Sequence, residues 1–317
     1  ATGEQISFEE LGGVDVHAKT TGQIDIAAET DEEAYTAIRT WLSYLPPNAH
    51  EVAPRGERPA AIDADPRLAE LVPAERTRGY DMRRVVKRLC DPKSVFELQP
   101  GYARSLVTAM ARIDGFPVGI VANNPMFDAG TLNPETCHKA IRLMTVCDAF
   151  NLPVIFLVDV PGFMVGRRVE HDRMLHWGMR MMQALQLAST PTLTVCVRKA
   201  FGMAWQAMNG SQMPAYGVYA WPGAEIGFMD PEVGINVAYG SKLDRIADLD
   251  ERAAEHARLV REVTEGTTPY DAAGTMRVDE VIDPAETRLV LAEDLNRLAN
   301  RPLIPPEQRP LTWWPTC

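Results

Sequence analysis

Apolar positions along this chain change their period three times. Ala34, Ile38, Trp41, Leu42 and Leu45 recur at helical spacing and end at Pro46-Pro47. Thr30 or Asp31 is placed to cap that run, and Asp31, Glu32 and Glu33 fall in its first turn, where the helix dipole favours acids. The pattern predicts a helix over 31–45, on a segment too small to bury its own stripe, which therefore needs another surface. Over 47–79 the period disappears among prolines and mixed charges, as in a linker. From Tyr80 onward, short apolar runs alternate with longer helical ones. Pro117–Asn123, Pro153–Val160 and Pro191–Val197 have strand length, whereas Pro134–Phe150 and Glu170–Ala188 carry broad apolar helical faces. This alternation predicts an α/β layered domain over 80–301 with largely parallel strands. Residues 249–264 and 284–300 read as further helices. The proline-rich stretch 302–317, with Trp313-Trp314, reads as an extended surface tail.

Composition narrows the classes. The 317 residues are 46% hydrophobic and 24% charged, which are globular values. Lys and Arg number 32 against 43 Asp and Glu, a net charge of −11 that repels phosphate and argues against nucleic-acid binding as the main activity. No apolar run approaches the ~18–20 residues of a membrane span. Cys90, Cys137, Cys147, Cys196 and Cys317 form no CxxC pair, and their odd number suits a reduced, soluble chain of the cytoplasm.

Side-chain chemistry is sparse. The sequence has no GxSxG, Walker-type loop, HExxH or GxGxxG. Glu170-His171-Asp172 are consecutive helical positions that point apart, so they read as a solvated helix start. His138 and His176 lack partners at ligand spacing, and no metal site is expected. The more distinctive feature is backbone. Three strands run into segments rich in Gly or small residues: Asn124 to Thr131, Asp159 to Phe163, and Arg198 to Trp205. Ligands bind at such strand ends, where Gly lets the backbone come close and a helix start offers free N–H groups. Two amides converging on one oxygen make an oxyanion hole without any acid or base. Each segment alone reads as an ordinary turn; three together leave a binding edge and plain turns as equal readings.

The stretches Phe96-Glu97-Leu98-Gln99-Pro100-Gly101-Tyr102-Ala103, Asp114 to Pro125 and Cys147 to Pro153 are specific enough to compare with known families. They resemble the carboxyltransferase (β) subunit of biotin-dependent acyl-CoA carboxylases, chiefly the C-terminal half of the propionyl-CoA carboxylase β type. The related methylmalonyl-CoA decarboxylase α subunits are similar too. The match continues through Val158-Asp159-Val160-Pro161-Gly162-Phe163, Arg198-Lys199-Ala200-Phe201-Gly202, Ala220 to Glu225, and Asp279 to Arg288. Leu11-Gly12-Gly13 and His17 resemble the end of the family's N-terminal half. The resemblance divides the chain into the tail of that half (1–46), a linker (47–79), the C-terminal, biotin-side domain (80–301) and an extended tail (302–317).

That resemblance implies a crotonase-like (ClpP-like) α/β spiral of ββα units. It also implies transfer of CO2 from N1′-carboxybiotin to the α-carbon of a short-chain acyl-CoA, of the propionyl or acetyl type. The biotin would be carried by a partner protein or domain, and coenzyme A would enter as the thioester substrate. The backbone amides of Met203 and Ala204, after Gly202, would face the biotin oxyanion. Ala129 and Gly130 would form a second loop, with Val160, Pro161, Gly162, Phe163 and Phe201 lining the pocket and Gln206 bordering the acyl group. Many members have Gly-Gly-Ala where this chain has Gly202-Met203-Ala204. The N–H survives that change, while the Met side chain re-aims the pocket. Most of the family's N-terminal half has no counterpart here, so it is an expected partner, as a second chain or as a missing part of this one. A biotin carboxyl carrier or biotin carboxylase subunit, and assembly as a homo- or hetero-oligomer (a trimer of dimers), are implied as well. Two other readings remain open: decarboxylation of malonyl- or methylmalonyl-CoA with biotin as CO2 acceptor, and a non-catalytic scaffold.

Overall fold

The computed structural model describes residues 3–313. Its strands are β1 (Phe96–Leu98), β2 (Leu106–Ile113), β3 (Phe116–Asn123), β4 (Val154–Val160), β5 (Thr192–Phe201), β6 (Gly217–Ala220), β7 (Glu225–Gly227) and β8 (Glu280–Val281). They form one sheet in the order β1-β2-β3-β4-β5-β6-β8, with β7 paired to the C-terminal end of β5. From β3 onward every pair is parallel, but β1–β2 and β2–β3 are antiparallel. The expectation of largely parallel strands holds for five of the seven pairings, and the antiparallel β1–β2–β3 edge makes the sheet mixed. The β2–β3 hairpin has a local cause: Asp114 and Gly115 take φ of 51° and 76°, the left-handed pair that a two-residue hairpin requires.

Side chains of the long strands alternate between two apolar layers. Leu106, Met110, Phe156 and Val158 share a cluster with the helices Pro134–Ala149 and Met174–Leu187. Val107, Ala109, Ile155 and Leu157 share the other with the helices Met82–Leu89 and Thr287–Leu298. Strands covered on both faces are buried throughout, which explains their continuous apolar runs.

The helix Asp31–Leu42 starts where its cap predicts, with the Thr30 hydroxyl accepting from the Glu33 N–H at 3.2 Å. Its stripe is only partly covered: Trp41 packs on the core, whereas Tyr35, Ile38 and Leu42 are exposed. The single helix expected over Glu170–Ala188 is two, Arg167–His171 and Met174–Leu187. Arg173 between them takes a left-handed φ of 68°, which breaks the ladder and lets Val169 and Met174 both turn inward. The helices Pro231–Leu243 and Leu249–Thr264 pack together through Ile235, Leu243 and Leu259. Among the described residues, no helix is long and apolar enough to cross a membrane.

Two buried cations fasten irregular segments to the helix Pro134–Ala149. The tail is not simply extended; it forms the turns Pro306–Gln308 and Pro310–Trp313. Arg309, fully buried, donates to the carbonyls of Ala49, Asp148, Ala149 and Ile304 at 2.6–3.1 Å. Two of these are last-turn carbonyls, where a cation also suits the helix dipole. Trp314 and Cys317 lie outside the described residues. The other four cysteines are buried free thiols.

Lys139 is the second cation. Its Nζ donates to the carbonyls of Gln99, Tyr102 and Leu106 at 2.8–3.0 Å and so closes the β1–β2 connection. Burial pushes its pKa from 10.5 down to about 7. The folded value lies below the unfolded one, so this group's contribution to stability is fullest above pH 10.5 and is lost as pH falls toward 7. Lys139→Met should remove that pH dependence. It should also lower stability by about 3 kcal/mol near neutral pH, because three buried carbonyls lose their donor. Denaturant unfolding across the pH range checks this, and an unchanged midpoint and slope would contradict it.

Candidate active site

β3, β4 and β5 run parallel, so their C-terminal ends share one edge of the sheet. The chain after β3 and the chain after β4 are joined there by a short bridge. Leu132 N–H donates to Gly162 O at 3.2 Å, and Met164 N–H donates to Leu132 O at 2.7 Å. Gly130 packs so close that a Cβ would lie 2.7 Å from Asp159 O, and its φ is +79°. Gly202, after β5, has φ +57° and would place a Cβ 2.8 Å from Phe228 O. Only glycine fits either position.

These ends enclose a cavity of about 300 Å³. Pro161, Gly162 and Phe163 line one side, and Phe201, Gly202, Met203 and Ala204 another. Phe228, Met229, Asp230 and Val233 form a wall that no motif of the sequence identified. The short helix Gly202–Ala207 begins in the cavity with Phe201 as its N-cap, a residue with no side-chain acceptor. Its first-turn N–H groups have no partner within the helix, and Met203 and Ala204 are among them. The Ala204 side chain is buried, whereas that of Met203 is half exposed.

The other expected residues lie off the lining. Val160 is buried beneath it. Ala129 is exposed, with φ of 52°, and the Gly130 N–H is taken by Phe127 O at 2.9 Å. Gln206 is buried, with its side-chain oxygen accepting from Gln212 N–H at 3.2 Å. Glu170, His171 and Asp172 are exposed, and His138 packs edge-on to Trp177. Among the described residues, no group of three His, Cys, Asp or Glu is placed to hold a metal.

One carboxylate organises the edge. Val158 pairs with Cys196, yet Val160 pairs with Ala200, so a single β4 residue faces three on β5. That residue is Asp159. Its carboxylate accepts the bulged Lys199 N–H at 3.2 Å, Arg198 Nε at 2.9 Å and the Tyr80 hydroxyl at 2.9 Å. Its own N–H donates to Asn123 Oδ1 at 3.2 Å, and Asn123 Nδ2 donates to Gly130 O at 3.0 Å. The three strand ends are thereby tied side to side. Burial pushes the Asp159 carboxyl above its ordinary pKa, against the pull of Arg198 and Lys199, and raises Tyr80 well above its own. From the far side, Ser105 Oγ donates to Thr131 O at 3.0 Å, and Ser105 O accepts from Asn124 N–H at 2.8 Å.

The carboxyl transferase domain family matches residues 1–311. The propionyl-CoA carboxylase carboxyltransferase subunit of Haloferax mediterranei is 39% identical over 311 residues, covering 97% of this chain and 60% of that protein. The methylmalonyl-CoA carboxyltransferase 12S subunit of Propionibacterium freudenreichii subsp. shermanii is 38% identical over 300 residues, covering 95% and 57%. The methylmalonyl-CoA decarboxylase subunit alpha of Veillonella parvula is 36% identical over 303 residues, with the same coverage. Among solved structures, a transcarboxylase 12S crystal structure superposes with a TM-score of 0.89 at 38% identity, covering 96% of this chain and 58% of that one. It is described as a hexamer assembly with methylmalonyl-coenzyme A and methylmalonic acid bound. The fold is accordingly crotonase-like, as the sequence resemblance implied. The chain spans about 60% of the length of the curated relatives it matches.

Replacing Asp159 by Asn should cost about 3–5 kcal/mol, because Arg198 is left as a buried charge without a counter-ion. Adding Arg198→Met removes the unpaired charge but also the donor to the carbonyls of Pro73, Glu75 and Arg78, so it should recover only part of the loss. Equilibrium denaturation of both variants measures this; a single variant as stable as the parent would show that the pair does not hold the edge.

Proposed function

The chain belongs to the carboxyl transferase domain family, and from that premise we propose that it is the biotin-side half of a cytoplasmic acyl-CoA carboxyltransferase. The observation that carries the reading is the cavity itself. Its walls are largely aromatic and apolar, with Asp230 as a charged lining residue held by Arg76, and the start of an uncapped helix opens into it. The ureido ring of biotin is flat and uncharged, with one carbonyl oxygen that needs donors, and these residues fit it. Phe163, Phe201 and Phe228 would hold the ring faces and keep water out. When bound, carboxybiotin supplies the CO2 and then the base that takes the substrate's α-proton.

The protein's task is then electrostatic. The N–H groups of Met203 and Ala204 would hold the ring oxygen, and the Asp159 contacts to Lys199 and Arg198 fix the strand end from which that helix starts. No acidic or basic side chain is required. The acyl group we assign is short, as in propionyl- or acetyl-CoA, in line with the names of the relatives. The remaining 40% or so of the family's length, on this polypeptide or another, would complete the thioester side, and a partner would carry the biotin. Similarity to the Veillonella decarboxylase subunit supports a second reading, the reverse reaction with biotin as CO2 acceptor.

The 317-residue chain alone should not carboxylate acyl-CoA, and addition of the complementary half with carboxybiotin should restore turnover and produce an oligomer. Full turnover by an isolated monomer, in a radiolabelled CO2-transfer assay with sedimentation, would contradict this. Within that assembled enzyme, Ala204→Pro deletes one donor and should lower kcat by about 10²–10³, or about 3–4 kcal/mol of transition-state stabilisation. Met203→Gly keeps its N–H and should change kcat only severalfold. Equal, severe losses in both would locate the chemistry in the Met side chain instead.

A further inference from the structure

Arg76 reaches the rim of the same cavity from the proline-rich segment 47–79. Its backbone is held from the sheet. Arg198 Nη1 donates to the carbonyls of Pro73, Glu75 and Arg78 at 3.0–3.4 Å, and Lys199 Nζ donates to Arg76 O at 3.2 Å. The Arg76 guanidinium points the other way. It donates to Glu225 at 3.0–3.2 Å and to Asp230 at 2.8 Å. Glu225 is the first residue of β7 and stands opposite Lys199 in the sheet register. Asp230 caps the helix Pro231–Leu243, accepting from Glu232 N–H at 3.0 Å, and lies in the cavity wall with Phe228, Met229 and Val233.

The bridge thus has one end on the sheet and the other on the wall. The helix Pro231–Leu243 finds its apolar packing on the neighbouring helix Leu249–Thr264, and the bridge fastens its first turn to the body. Arg76, Glu225 and Asp230 are all largely buried, with side-chain exposures of 27%, 22% and 13%. Desolvated charge pairs resist rearrangement more than exposed ones do. Without the cation, two carboxylates would face each other at the cavity rim and push the wall outward, offset in part by Lys199.

We propose that Arg76 is a positioning residue for the cavity: by bridging Glu225 and Asp230 it sets the distance of the Phe228–Val233 wall, and with it the affinity for the ring of biotin. The inference rests on the function proposed above. Because Arg76 does not line the cavity, it governs how tightly the ring is gripped, while the two amides govern the chemical step.

The test is steady-state transfer from methylmalonyl-CoA to free biotin in the assembled enzyme. CO2 leaves the α-carbon for N1′ of the ring, and the N1′ proton replaces it on the α-carbon. Arg76→Gln should raise the KM for biotin about five- to tenfold, with kcat at saturating biotin and the KM for methylmalonyl-CoA within about twofold of the parent. Arg76→Lys, which keeps a cation, should recover most of the difference. Glu225→Gln added to Arg76→Gln relieves the repulsion and should also lower the KM for biotin. An unchanged KM for biotin in Arg76→Gln would overturn the inference while leaving the functional reading intact. A parent enzyme without saturable dependence on biotin would overturn both. If Arg76→Gln fails to assemble, Glu225→Gln, which frees the sheet end of the bridge and does not line the cavity, decides: a KM for biotin raised severalfold at unchanged kcat supports the bridge, and an unchanged KM overturns it.

Discussion

A carboxylate buried at the end of β4 sets the geometry of everything around it. Asp159 faces three residues of β5 alone, and its oxygens take the N–H that the bulge removes from the ladder together with the Arg198 guanidinium. Such a pair is a poor source of stability, since desolvating both charges offsets most of their attraction. It specifies an arrangement instead. With Asp159 fixed, Val160 to Phe163 and Phe201 to Ala204 leave the sheet at a defined offset. Asn123 brings the third strand end into the same lattice through Gly130 O. Arg198 extends it outward to the carbonyls of residues 73–78.

A preorganised frame matters most when the chemistry resides in the backbone. An amide donor cannot be re-aimed by a rotamer change, so its placement is only as good as the turn that carries it. Here that turn needs φ of +57° at Gly202 against the Phe228 carbonyl, and it leads directly into the helix that presents Met203 and Ala204. Lys139 and Arg309 do comparable work further away. Lys139 gathers carbonyls of the β1–β2 connection, and Arg309 gathers last-turn carbonyls of the helix Pro134–Ala149 together with those of Ala49 and Ile304.

The layered body was legible because strands buried on both faces leave continuous apolar runs, as in Val154 to Val160. The hairpin was missed: Asp114-Gly115 is a turn signal, but only the run after it was read as a strand, and the parallel pattern around it masked its antiparallel partner. Asp230-Pro231 likewise marks a helix start that the apolar spacing alone did not reveal. Arg173 is different: a left-handed arginine in mid-run carries no local signal, because tertiary burial of Val169 and Met174 decides it. At the candidate site, the glycine-rich strand ends and the family resemblance directed the reading to the sheet edge and to Met203 and Ala204, which line the cavity there. The ties among Asn123, Asp159, Arg198 and Tyr80 join residues 36 to 79 positions apart, and the wall from Phe228 to Val233 closes on Gly202 from a separate segment. No spacing rule along the chain reaches that far.

The central claim is that a ring oxygen is held by backbone N–H groups at the start of the helix Gly202–Ala207. A crystal structure of the assembled enzyme with biotin bound tests it most directly. The account predicts the ureido oxygen at about 2.7–3.1 Å from the nitrogens of Met203 and Ala204, with the ring between Phe163 and the Phe228 wall. Biotin bound elsewhere, or its ureido oxygen turned toward an ionised side chain, would contradict it.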